Sequence, residues 1–173
     1  FNVRMQLKKS EQMTLNYRMQ TQFTDVSRFA RGLVLNSYSS LFSGVPDLDN
    51  ALSHNVNLSY FSFNMFNYTN VFANISYNKS IDNIRNTSRF EPGSVVNISS
   101  PFNSDFADES VNASGRFQRT FGKIRGTLNG NFSYSKFNQF IQNTRSVNES
   151  FTQNYRAQVR TNFKTAPNVE IGY

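Results

Sequence analysis

Apolar and polar residues alternate along most of the 173-residue chain. A period of two is typical of β-strands whose two faces lie in different surroundings. Around residue 15, for example, Met13, Leu15 and Tyr17 alternate with Thr14 and Asn16. Eight such segments are predicted, near residues 1–7, 12–24, 54–63, 70–84, 109–121, 124–140, 148–164 and 168–173. The pattern therefore predicts an all-β fold without a convincing helix.

The predicted connections between these segments alternate in length. Short turns fall near residues 9–11, 64–68, 122–123 and 165–167, and longer loops fall near 25–53, 85–108 and 141–147. Residues 27–42 come closest to a helical pattern, but Gly32 interrupts them, so a loop with one helical turn is expected there. Outer-membrane β-barrels have short periplasmic turns and longer extracellular loops, and this sorting favours a membrane barrel.

We therefore predict an antiparallel up-and-down meander of about eight strands, part of a transmembrane β-barrel, forming one domain over residues 1–173. If the short turns are periplasmic, both chain ends lie on the extracellular side. Complete bacterial barrels have an even number of strands, and we expect their termini on the periplasmic side, so this phase leads us to expect further strands before Phe1 and after Tyr173. A complete eight-stranded barrel, filled by side chains, is the alternative.

The composition fits a sheet between lipid and water. The chain holds 18 Phe, 8 Tyr, 24 Asn and 22 Ser, and its mean hydropathy is −0.54. A disordered chain would be poor in aromatic residues, and the chain has no run of 18 apolar residues that could form a transmembrane helix. The net charge of +7 is spread over single Lys and Arg residues rather than a basic run, so no nucleic-acid partner is expected.

The aromatic residues are predicted to serve the membrane. Most of them fall on the apolar phase of their strands, where they would face lipid or form an interfacial girdle. These residues are Tyr17, Tyr60, Tyr77, Phe117, Phe121, Phe132, Tyr134, Tyr155 and Phe163. The loop candidates for contact with a ligand or partner are Phe29, Arg31, Tyr38, Phe42, Asp47 and Asp49.

Little in the sequence supports catalysis or metal binding. The single His54 has no nucleophile motif near it, and the chain has no Cys for a disulfide or a thiolate metal site. The acidic groups at 47–50 and 105–109 match no calcium-loop spacing, and solvated turns account for them better. We expect no enzyme activity, no metal and no cofactor.

Residues 44–50, Gly-Val-Pro-Asp-Leu-Asp-Asn, resemble the G-N-P-x-L-x-x-E segment of TonB-dependent receptor-like barrels. In that family the segment ends a long extracellular loop before a strand rich in Tyr and Asn, which residues 53–60 match. The departures are Val45 in place of Asn, and Ala51 with Leu52 where the acidic residue and its neighbour would fall. Residues 17–23, 132–137 and 150–156 are similar to other strands of these barrels.

The resemblance implies the later barrel portion of a receptor with an N-terminal plug, in the outer membrane of a Gram-negative bacterium. The implied partners are outer-membrane lipid, the plug and remaining strands of the same barrel, an energy-coupling complex, a surface lipoprotein and an unidentified solute. The first hypothesis is thus a receptor or transporter that binds a solute on the extracellular side. The alternatives are a complete small barrel with a structural or adhesion role, and a soluble β-sandwich that binds glycans.

Overall fold

The computed structural model describes residues 1–29, 31–90, 93, 95–141, 144–164 and 166–173, and within this part the regular structure is almost all strand. In chain order the strands are β1 Asn2–Lys8, β2 Glu11–Gln22, β3 Leu33–Ser37, β4 Ser40–Ser43, β5 Ala51–Asn64, β6 Thr69–Ile81, β7 Asn83–Phe90, β8 Asn97–Ser104, β9 Asp108–Phe121, β10 Ile124–Ile141, β11 Thr144–Thr161 and β12 Glu170–Gly172. One 3-10 turn spans Val26–Phe29. No helix in the described ranges has the length and hydropathy needed to cross a membrane. The prediction of an all-β fold is confirmed.

Eight strands form one large antiparallel sheet in the order β1-β2-β5-β6-β9-β10-β11-β12. Each strand pairs with the next predicted segment along the chain, so the sheet has the up-and-down order expected from the alternation. β1 and β12 are its outermost strands, and the sheet is open. The large sheet is therefore antiparallel as predicted, while a closed barrel is not seen.

Two of the predicted connections differ from the structure. β10 and β11 stay paired as far as Ile141 and Thr144, so residues 144–147 belong to a strand and the predicted long loop at 141–147 is wrong. Polar pairs such as Asn148 and Gln139, whose side chains are joined at 2.9 Å, extend this ladder without the apolar alternation that marks a strand in sequence. Residues 142–143 lie outside the described residues. Residues 162–169 link β11 to β12, and Thr165, within the predicted turn, is also outside the described residues.

The loops predicted near 25–53 and 85–108 carry a second sheet, which we call the small sheet. It has the strand order β3-β4-β8-β7, and β4 pairs with β8 in parallel. Two segments more than fifty residues apart in sequence are thereby joined into one unit. These strands are short and rich in Ser and Asn, so they lack the alternation by which the other strands were found.

Candidate functional surfaces of the large sheet

One face of the large sheet carries nearly all of its apolar side chains, and we call it the aromatic face. Residues directly opposite each other in an antiparallel pair project to the same side, so the register assigns every strand residue to a face. One row across the sheet illustrates the result: Val3, Leu15, Leu58, Ile75, Ala113 and Phe132. The predicted girdle residues on this face are Tyr17, Tyr60, Tyr77, Phe117, Phe121, Phe132, Tyr134 and Tyr155. Phe163 lies beyond β11, where its ring sits 5.6 Å from Lys123 Nζ.

Almost none of this apolar surface is buried. Among the described residues, Leu48, Ala51 and Pro101 are the only buried apolar ones. The accessible surface is 12503 Å², whereas a compact monomer of 19.9 kDa should expose about 8,700 Å². On the aromatic face, Leu128 is 56% exposed and Tyr155 is 74% exposed. The large sheet therefore has no core of its own.

A row of charged residues crosses one end of the aromatic face, and we call it the charged ladder. It consists of Lys79, Glu109, Lys136 and Glu149, which lie side by side on β6, β9, β10 and β11. Lys79 pairs with Glu109 at 3.5 Å, and Lys136 pairs with Glu149 at 3.3 Å. The neighbouring row holds Tyr17, Val56, Tyr77, Val111, Tyr134 and Phe151. The ladder thus gives the aromatic face a sharp charged border beside a row of tyrosines.

The opposite border lies near the turn between β9 and β10. Arg119 is the first charged residue met along β9 on this face after Glu109. Its guanidinium stands over the Phe121 ring at 4.7 Å, and Lys123 follows in the turn. Between the two borders, β9 places only Val111, Ala113, Gly115 and Phe117 on the aromatic face, and none of them is charged.

Local contacts hold the aromatic residues in place. The Tyr17 hydroxyl lies 2.8 Å from His54 Nδ1, so the ring points toward the end of the sheet where the charged ladder lies. Phe132 and Phe151 meet edge to face at 5.0 Å. The Tyr155 ring covers Gly130 on the neighbouring strand, where an added Cβ would lie 3.4 Å from the ring. Cross-strand aromatic pairs of this kind each contribute roughly 0.2–1 kcal/mol.

The other face, which we call the polar face, is lined by Asn, Ser, Gln and Arg. Asn57 and Asn74 exchange two side-chain hydrogen bonds at 3.4 and 3.3 Å, and the Ser133 hydroxyl donates to Asn112 Oδ1 at 2.8 Å. Its arginines are Arg4, Arg18, Arg116, Arg125, Arg156 and Arg160, and its carboxylates are Asp108 and Glu170. The polar face is therefore hydrated in character and positive in charge.

A cavity of about 670 Å³ lies on β6, β9, β10 and β11. It is lined by Phe72, Ser114, Gly115, Arg116, Asn129, Asn131, Asn154, Tyr155 and Arg156. Most of these residues belong to the polar face. Of these residues only Tyr155 was among the predicted site residues, as a girdle aromatic, because the others are brought together by the pairing of four separate strands.

A buried polar cluster fastens the small sheet to the large one. Asn138, which is 1% exposed, donates its backbone N–H to Asp108 Oδ1 at 2.9 Å and accepts from Arg145 Nε at 2.8 Å. Asp108 also accepts from Asn83 Nδ2 at 2.9 Å and forms an ion pair with Arg85 of β7. A half-buried carboxylate with several donors forms a rigid junction, since its removal would leave those donors without an acceptor.

The loop candidates do not converge on one cavity. Phe29 and Phe42 are half-buried, in the 3-10 turn and in β4, whereas Tyr38 is 98% exposed at the turn between β3 and β4. Arg31 and Asp47 are exposed.

The backbone of Asp49 is held by Asn103, which donates to Asp49 O at 2.9 Å and accepts from Asp49 N at 2.8 Å. A cavity of about 440 Å³ in this region is lined instead by Gln22, Phe23, Thr24, Asp25, Arg28, Ala51, Asn83 and Ile84. A hydrogen bond from the backbone N–H of Ser27 lowers the pKa of Asp25, whose carboxylate caps the 3-10 turn. Comparison of the chain with protein-family models, with curated proteins and with solved structures finds no match.

Proposed function

We propose that the chain is the wall of a transmembrane β-barrel in the outer membrane of a Gram-negative bacterium. The observation that carries this proposal is the aromatic face: eight antiparallel strands present an apolar surface that the described chain leaves uncovered. In water, such a surface would be far larger than the few hundred Å² that soluble monomers expose. An apolar, aromatic-rich sheet face of this extent is suited to contact with lipid.

The spacing of the two charged borders supports the same proposal. On β9, Glu109 of the charged ladder and Arg119 are ten positions apart. At about 3.4 Å per residue this is about 34 Å along the strand. A strand tilted by about 45° would cover about 24 Å of membrane thickness, close to the apolar band of about 25 Å in outer-membrane barrels.

The composition of the polar face supports a water-filled interior of the proposed barrel. Asn, Ser and Arg side chains tolerate contact with water, and barrel strands alternate between lipid-facing and lumen-facing residues. The small sheet lies at the end of the large sheet that carries the charged ladder, and it gathers both long connections into one unit. We propose that this unit contacts the solute on the extracellular side, as in a receptor or transporter of the TonB-dependent type.

A soluble β-sandwich is less well supported. In a sandwich, a second sheet packs face to face on the first and buries the apolar side chains of both. Here the small sheet meets the large one mainly through β7, and Phe102 of β8 adds an edge-to-face contact with Phe140 of β10 at 4.8 Å. The exposed fraction of Leu128 and Tyr155 shows that the aromatic face lacks such a cover.

The experiment that tests the proposal uses single cysteines, because the chain has no natural Cys. Leu128→Cys and Asn129→Cys place the same fluorophore on opposite faces of β10. In lipid vesicles, nitroxide-labelled phospholipid should quench the label at position 128 strongly and the label at position 129 weakly. A water-soluble quencher should show the reverse order.

Leu15→Cys and Asn16→Cys form a second pair, on β2, and should behave in the same way. Circular dichroism with and without detergent completes the test, because a lipid-facing sheet should gain its strand signal only in detergent or lipid. A chain that is soluble, monomeric and cooperatively folded in buffer, with equal quenching at both positions of each pair, would overturn the proposal.

A further inference from the structure

The 670 Å³ cavity of the polar face is lined by two arginines and by no Asp or Glu among its lining residues. Arg116 on β9 and Arg156 on β11 are both paired with Asn129 of β10, which lies between them. Adjacent strands are about 4.8 Å apart, so the two arginine Cα atoms are about 10 Å apart on one face. Two extended guanidinium groups at this separation can reach one bound group.

The donors of these arginines are largely unused. Arg116 Nη2 donates to Gln118 Oε1 at 2.9 Å, and within the described part of the chain the Arg156 guanidinium forms no hydrogen bond or ion pair. Each guanidinium offers five N–H donors in a fixed fork. Elsewhere on the same face, Arg160 is paired with Glu170 at 3.8 Å, so the absence of a carboxylate is a feature of the cavity and not of every arginine on this face.

Amide side chains complete the lining with further donors. Asn129, Asn131 and Asn154 surround the space between the two arginines. Guanidinium forks match the geometry of carboxylate, sulfate and phosphate oxygens, and they bind such groups through paired charge-assisted hydrogen bonds. Like charges placed together without a counter-ion repel each other, and an anion bound between them removes the repulsion.

We propose that Arg116 and Arg156 form a binding site for a soluble oxyanion group, such as the phosphate, sulfate or carboxylate of a solute, on the polar face. This inference rests on the proposed function, because it names the class of solute that would pass along the lumen. In that setting the site selects solutes that carry at least one oxyanion group, and the asparagines bind the neutral remainder.

The test measures how fast phenylglyoxal modifies each arginine, read by mass spectrometry on the full chain in maltoside micelles, which contain no phosphate. Inorganic phosphate should slow the modification of Arg116 and Arg156 about tenfold. Arg18, on the same face but outside the cavity, is the internal control and should react at an unchanged rate. Sodium chloride at equal ionic strength should protect none of the three.

Variants separate a site from a general charge effect. Arg116→Gln should abolish the protection of Arg156 by phosphate, whereas Arg18→Gln should leave it intact. Micelles that contain anionic phospholipid but no free phosphate provide a second arm, and protection there at the same two arginines would mean a lipid headgroup site instead. Equal protection at all arginines, or protection by chloride, would overturn the inference. Because the cysteine labels report membrane exposure independently, failure of this site leaves the barrel proposal untouched.

Discussion

Replacing Ile75 by Arg would place a charge near the middle of the aromatic face. Ile75 lies four residues from Lys79 of the charged ladder, which is about 14 Å along the strand and about 10 Å along the membrane normal at a 45° tilt. In an apolar band about 25 Å thick, this position is close to the midplane. An Arg on the lipid face there should destabilise the fold by about 2–4 kcal/mol, or roughly 30-fold to 1000-fold in the folding equilibrium.

The neighbouring residue provides the matched control. Ser76→Arg puts the same side chain on the polar face, one position away on β6, where water is expected. Both variants should be compared with the unchanged chain by guanidinium titration in lipid vesicles, with circular dichroism as the readout. Because Ile75 is 47% exposed, a soluble fold would lose only about 0.5–1 kcal/mol from either change. Equal midpoints for the two variants would refute the assignment of the aromatic face to lipid.

Three further predictions concern the other contacts. Asp108→Ala should leave the buried Asn138 without its acceptor and lower the free energy of local unfolding of the small sheet by about 2–4 kcal/mol. Amide hydrogen exchange should then be faster in the small sheet, while the large sheet keeps its protection. Gly130→Val should push the Tyr155 ring off its neighbour at a cost of about 1–3 kcal/mol in unfolding free energy, whereas Gly130→Ala should be nearly neutral. The folded pKa of Asp25 is lowered from 3.8, so the Asp25 carboxylate stabilises the turn Val26–Phe29 fully above pH 3.8. This stabilisation is lost as the pH falls through the lowered pKa, and the amide chemical shifts of the turn would follow the loss.

The alternation of apolar and polar residues predicted the large sheet because its strands keep one mainly apolar face and one mainly polar face. Met13, Leu15 and Tyr17 of β2, for example, alternate with polar residues. The small sheet has no such pattern, and its parallel pairing of Leu41 with Ile98 joins residues distant in sequence, so short-range periodicity could not reveal it. The same holds for the Asp108 junction.

The cavity lined by Arg116 and Arg156 could not be predicted from the sequence for a related reason. Each of its residues is unremarkable in its own strand, where Asn and Arg merely fill the polar phase. The signal exists only in the register, which sets Arg116 and Arg156 on either side of Asn129. A register shift by one residue would move all of them to the other face. Sequence alone could place the strands but not the rows across them.

The edges of the large sheet bear on the choice between a complete small barrel and a part of a larger one. β12 pairs with β11 only at Gln158–Arg160, which leaves most of the outer edge of the 18-residue β11 without a strand partner among the described residues. In hydrocarbon, each unpaired backbone group costs several kcal/mol, so a membrane-embedded β11 needs strand partners along the whole of this edge. A strand should supply about nine to eleven residues to span the bilayer.

We therefore expect the outer edge of β11 to be paired along its length in the membrane. Single cysteines at Asn148 and Thr152, on the outer edge of β11, should, when labelled with a photoactivatable cross-linker, cross-link to the strand that pairs with this edge. A monomeric, heat-modifiable band that forms without a cross-link to a second copy would instead mean that the sheet closes on itself as an eight-stranded barrel, with β1 beside β12.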